Sequence, residues 1–185
     1  EFITRHPLLL DELLDDRVLY APPDLGSFEN NLKKQLAGAR DDTERRMNIL
    51  REMHQAQVFR LLAQDLAGLL TVEKLADHLS ALADLMLEVS IEEVWRDVRG
   101  RHRERPAFAV IGYGKLGGKE LGYASDLDII FLYEDADERA PEVYARLAQR
   151  LNTWLSSRTS SGMLFETDLA LRPSGASGLL VSAVD

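Results

Sequence analysis

Seven residues, 118 to 124, separate the glycine-rich turn Gly112-Tyr113-Gly114-Lys115-Leu116-Gly117 from the strand that begins at about Ser125. That interval constrains the fold more than any other feature. The turn follows a buried-strand run, Ala107 to Ile111, and matches the glycine fingerprint of dinucleotide-binding domains. Glu134 lies 22 residues beyond Gly112, where a ribose-binding acid would sit. A parallel crossover, however, needs roughly ten to twelve residues or more, helix included. Seven residues that include Gly118 and Gly122 hold one short turn of helix and no crossover. The dinucleotide reading therefore fails on chain length. A glycine-rich turn still presents backbone N–H groups with little bulk, which suits a phosphate, and Lys115 and Lys119 add charge. Read without a ligand, the same residues are a tight turn with solvent lysines.

Ser125-Asp126-Leu127-Asp128 decides between these readings. Strand side chains alternate, so Asp126 and Asp128 share one face, about 7 Å apart, while Leu127 and Ile129 share the other. Two anions side by side at the mouth of a buried strand repel each other and lose hydration. A divalent cation removes that penalty, and oxygen ligands suit Mg²⁺, which takes one or two carboxylates plus substrate phosphates. In Phe165-Glu166-Thr167-Asp168-Leu169-Ala170-Leu171 the same alternation places Glu166 and Asp168 together. Beside the Asp126 strand, Asp168 would complete a triad able to hold two metals, with Glu166 as its rival.

The rest of the chain frames this site. Up to about Pro106 the pattern is helical. A helix is expected from Phe2 to Leu14. Another is capped by Ser27 and runs through Leu36. A third opens on a capping box of Asp41 and Glu44, with an apolar stripe of Met47, Leu50, Val58, Leu61, Leu62, Leu66 and Leu69. A fourth is capped by Thr71, with Leu75, Leu79, Leu82, Met86 and Val89 on one side. Beyond Pro106 come strands at 107–111, 128–133, 163–171 and 179–184, and a helix from Pro141 to Arg158 with a stripe of Val143, Leu147, Leu151, Trp154 and Leu155. The expected fold class is α+β: a helical lead-in, 1–105, then a small mixed sheet flanked by helices, 106–185. Trp95 and Trp154 read as core. His54 and His78, 24 residues apart, make no local ligand pair.

Acidic residues outnumber basic ones 31 to 22, a net charge of −9, which argues against sequence-independent binding of nucleic acid. No apolar run approaches the roughly 18 residues of a membrane span. The chain has no cysteine, which permits a reducing compartment without proving it, and the expected location is the cytoplasm. It starts without methionine and stops in the apolar run Leu180 to Val184, which reads as a piece of a longer protein.

Gly114-Lys115, ten further residues, then Asp126-Leu127-Asp128 resembles the signature of nucleotidyltransferases with a DNA-polymerase-β-like palm, with Lys115 where Ser or Gly is usual. The longer string from Gly112 to Asp128, together with Leu171-Arg172-Pro173-Ser174-Gly175, Arg5-His6-Pro7 and Leu9-Leu10-Asp11, resembles the glutamate–ammonia ligase adenylyltransferase family over nearly the whole chain. That family has two related catalytic domains. One attaches AMP from ATP to a tyrosine of glutamine synthetase; the other removes it by phosphorolysis. Gly112-Tyr113-Gly114 and Gly122-Tyr123-Ala124-Ser125 are more similar to the attaching domain; the removing domain more often has Met in place of Tyr113 and Asn in place of Gly122. The resemblance implies Asp126, Asp128 and Asp168 as catalytic metal ligands for two Mg²⁺. It implies Gly114, Lys115, Gly117, Gly118, Ser125 and Arg172 as nucleotide contacts. It implies ATP as substrate, and glutamine synthetase, a nitrogen-regulatory signal protein and the second catalytic domain as partners. Ala170 stands where the family often has Arg, which leaves Arg172 to serve. An inactive ATP-binding or interaction fragment is the alternative.

Overall fold

The computed structural model describes residues 21–173, 175 and 178–184. The expected helix from Phe2 to Leu14 and the Arg5–Asp11 motif lie outside them. Three helices come first: α1 (Leu25–Ala37), α2 (Thr43–Leu66) and α3 (Val72–Arg96). Thr71 caps α3 as expected, its hydroxyl accepting from Lys74 N. The other two caps differ from expectation. Asp24, not Ser27, caps α1, because its carboxylate accepts from both the backbone N (3.0 Å) and the hydroxyl (2.7 Å) of Ser27, placing Ser27 inside the first turn. Asp42, not Asp41, caps α2 by accepting from Arg45 N at 2.9 Å, so no box with Glu44 forms. The α2 stripe also ends early. Leu66 is 80% exposed at the last turn and Leu69 lies beyond it, also exposed, whereas Leu50 and Leu61 are buried.

After the helices come β1 (Phe108–Gly112), a single turn α4 (Gly114–Gly117), β2 (Leu127–Tyr133), α5 (Ala140–Ser156), β3 (Thr167–Asp168) and β4 (Val181–Ala183). β1 runs antiparallel to β2, from Phe108↔Tyr133 to Gly112↔Ile129, which agrees with the rejection of a crossover. Both β3 and β4 run parallel to β2. β3 pairs at the start of β2 (Leu127↔Thr167, Asp128↔Asp168) and β4 at its end (Phe131↔Val181 to Tyr133↔Ala183). The strand expected from Met163 to Leu171 is thus only two residues long. Phe165 N is drawn to Leu155 O at the end of α5, and the Asp168 carboxylate accepts from Ala170 N, which turns the chain away.

One face of the sheet is covered. Leu127, Ile129, Phe131 and Tyr133 are buried, and the Tyr133 ring stacks on Tyr144 of α5 with centroids 4.7 Å apart. Tyr144 also stacks on Trp95 of α3, so a single apolar core joins α1–α3, α5 and the sheet. The whole α5 stripe, Val143 to Leu155, is buried in it. Leu147→Ala should therefore cost about 2–5 kcal/mol of stability, read as a lower urea midpoint. The opposite face carries Asp128, with Ala109 and Ile111 of β1 exposed beside it. Among the described residues no helix is long and apolar enough to cross a membrane.

Candidate functional site

The site forms where β1 hands over to β2. Tyr113 N donates to Asp128 O at 2.8 Å, which folds the chain back across the start of β2. Gly114 opens α4 with φ +50, and a Cβ there would lie 2.2 Å from Asp128 Oδ2. Only glycine combines that backbone with room for the carboxylate. Gly117 has a second reason: its Cβ would meet Gly112 O at 2.6 Å. Leu116 is buried and pins the turn, while Lys115 and Gly118 are exposed on it. Lys119 departs from the expected phosphate role, since it pairs with Asp84 of α3 on the surface. Ser125 closes the next turn, its Oγ accepting from Gly122 N at 3.0 Å. Tyr123 donates to Asp65 at the end of α2 (3.0 Å), and burial first, then that carboxylate, push its pKa up to about 12.

The carboxylates follow from the register. Asp126 is exposed, Leu127 buried and Asp128 half-buried, the alternation expected of a strand start. Leu127 N donates to Glu166 O at 2.9 Å, and Asp128 pairs with Asp168. Register partners in a parallel pair lie about 4.8 Å apart with side chains on the same face. Asp128 and Asp168 therefore share one face at one end of the sheet, with Asp126 exposed just before β2 and Glu166 exposed just before β3. Asp168 Oδ1 accepts from Ala170 N at 2.7 Å, which fixes the carboxylate's orientation. Arg172 is directed to its own loop, donating to Leu169 O (2.7 Å) and Gly178 O (3.5 Å).

Among the described residues no three acids or imidazoles converge tightly enough to hold a metal alone. The donor set is nevertheless all-oxygen, and the Asp128 carboxylate is cradled against Gly114. Such a set fits a hard cation whose remaining ligands come from a substrate.

Behind the acids lies a cavity of about 240 Å³ bordered by His54, Leu79, Tyr123, Ser125, Phe165 and Glu166. His54 meets the Phe165 ring edge-on at 4.8 Å, and burial lowers its pKa to about 4. Among the described residues it joins no group of three acids or imidazoles. Because the unfolded histidine takes its proton below about 6.5 and the folded one only near 4, stability should be full above pH 6.5 and fall between those values. Urea midpoints taken from pH 7.5 to 5 should drop for the natural chain and stay flatter for His54→Phe.

One group of residues had no sequence signal beyond an arginine beside the α2 stripe. Arg51 is 0% exposed and donates to Gly162 O, Met47 O, Trp154 O and Ser157 O at 2.7–2.9 Å. Gln55 donates to Ser161 O (2.8 Å), and Glu52 accepts from Ser161 Oγ (2.9 Å).

A family model described as glutamate-ammonia ligase adenylyltransferase matches residues 1–185. Curated relatives share the name bifunctional glutamine synthetase adenylyltransferase/adenylyl-removing enzyme. That of Aromatoleum aromaticum is 64% identical over 185 residues, 100% of this chain and 20% of the relative. That of Chromobacterium violaceum is 59% identical over 183 residues, 99% of this chain and 20% of the relative. That of Ralstonia nicotianae is 58% identical over 182 residues, 98% of this chain and 19% of the relative. The chain spans about a fifth of the length of these relatives.

Proposed function

Since the chain belongs to the glutamate-ammonia ligase adenylyltransferase family, we propose that its acidic sheet end transfers AMP from ATP to a tyrosine of glutamine synthetase. The observation that carries this reading is the pairing of Asp128 with Asp168 on one sheet face, directly beneath the Gly114 turn. The bacterial relatives' shared name supplies the acceptor protein and also a reverse activity. We place the work in the cytoplasm, beside a second catalytic domain and under a nitrogen-regulatory signal protein. The division into a helical lead-in, 1–105, and a palm, 106–185, belongs to the same proposal.

In this mechanism the backbone of Gly114, Gly117 and Gly118 and the Lys115 ammonium hold the triphosphate, with Ser125 and Arg172 shaping the loops around it. Asp126, Asp128 and Asp168 would hold Mg²⁺, two ions in the full complex. Bound there, Mg²⁺ neutralises charge on the phosphates and favours the ionised tyrosine. Asp168 faces the incoming phenol with Oδ2, because Oδ1 is engaged by Ala170 N. The tyrosine hydroxyl gives its proton to solvent, its oxygen attacks the α-phosphorus, the bond from that phosphorus to pyrophosphate breaks, and pyrophosphate leaves. The chain contributes positioning and charge compensation.

The test is the full-length enzyme with labelled ATP, Mg²⁺ and glutamine synthetase. Label on tyrosine that is lost with Asp126→Asn supports the reading. Phosphate-driven release of AMP from pre-labelled glutamine synthetase, lost with the same variant, would instead assign the removing reaction. Absence of both would leave a binding module. Asp168→Asn should lower kcat more than ATP affinity; a normal rate would move its role to Glu166.

A further inference from the structure

The helical lead-in does more than cover the sheet. Arg51 of α2 is fully buried, and among the described residues its guanidinium donates to carbonyls rather than to carboxylates. A buried charge of this kind is tolerated only when its donors are met. Trp154 O and Ser157 O belong to the last turn of α5 and the residue after it, where carbonyls lack helical partners and a cation is favoured. Gly162 O belongs to the tight turn Thr159–Gly162, closed by two backbone hydrogen bonds between those residues. Gln55 and Glu52 grip the same turn through Ser161. Gly162, at φ +93, leaves an ideal Cβ only 3.1 Å from Gln55, so the contact is close-fitting.

That turn leads straight into β3. From Gly162 the chain passes through buried Leu164, then Phe165 and Glu166, each bonded through its backbone, to Asp168. β3 itself is held to β2 by two residue pairs only. Two pairs are a weak hold on a carboxylate that must stay within about an ångström of its working position. The other fixed points are Thr167 Oγ1 on Asn152 (2.9 Å) and the α2 side chains.

We propose that Arg51, with Gln55 and Glu52, is a positioning clamp that sets where Asp168 stands relative to Asp126 and Asp128. The inference rests on the proposed role of Asp168. Arg51 touches no substrate in this scheme; it acts through the turn. Lysine at this position offers three donors from one point instead of the planar fork that meets four carbonyls, so it keeps the charge and loses the geometry.

The experiment is a double-mutant cycle in the full-length enzyme, following AMP transfer to glutamine synthetase. Arg51→Lys should lower kcat about tenfold with the KM for ATP within twofold, and should raise the Mg²⁺ concentration giving half-maximal rate. Combined with Asp168→Asn it should add little further loss, because the residue it positions is already disabled. Gln55→Ala, which removes one hydrogen bond to the turn, should show the same non-additivity with a loss of about two- to threefold, and serves if Arg51→Lys does not fold. Multiplicative losses, or rates that fall only in step with the folded fraction, would overturn the clamp while leaving the site intact. A normal rate for Asp168→Asn would overturn the role of Asp168, and the clamp with it.

Discussion

On the proposed function, Asp128→Asn in the full-length protein should lower AMP transfer by roughly 10³-fold and leave the domain folded. The substitution keeps shape and removes one negative charge. Asp128 is half-buried at the start of β2, pressed against Gly114 and paired in register with Asp168, so it is the acid common to both halves of the site. On the proposed reading, an amide there would bind a hard cation poorly and leave the triphosphate charge uncompensated. Stability should hold or rise slightly, because two neighbouring anions no longer repel. Asp126→Asn should follow the same course. Circular dichroism and a thermal scan beside the transfer assay check both halves, and normal transfer by either variant removes the metal-pair assignment.

Gly114→Ala should nearly silence the site without touching a charge. The added methyl would lie 2.2 Å from Asp128 Oδ2, so the carboxylate or the turn must move by about an ångström. Displacement on that scale costs roughly 10²-fold in rate. The φ of +50 adds about 1–2 kcal/mol of backbone strain. Gly68→Ala separates the two effects, because Gly68 has φ +70 with nothing within 4 Å of its Cβ position. It should lose stability alone, with normal transfer. Equal activity losses in the two variants would mean that contact with Asp128 is not what matters at Gly114.

Much of this architecture could be read from residue order. Apolar spacing locates α2, α3 and α5, Thr71 marks a helix start, and seven residues of chain leave no room for a crossover. Alternation placed Asp126 and Asp128 on one face. The helix starts at Asp24 and Asp42 are not legible because Ser27 and Asp41 are equally good acceptors in isolation; the choice is made by which side chain reaches the third backbone N. The third strand was overdrawn for a different reason. Phe165 to Leu171 alternates like a strand, but an edge is needed to pair with. β2 begins only at Leu127, and β4 occupies it from Phe131. Arg51 was illegible because its partners lie more than a hundred residues away, apart from Met47 O, and no local pattern marks an arginine destined for burial.

The stacking of Tyr144 on both Trp95 and Tyr133, together with the reach of α2 into the 159–162 turn, bears on how this protein could be taken apart. A catalytic cassette excised at residue 106 would carry all three acids and the glycine turn, yet arrive with an uncovered aromatic face and no counterpart for the carbonyls of Trp154 and Ser157. Grafts, chimaeras and minimal versions of this domain have to begin upstream of α2, because the helices are part of the tool and not its handle.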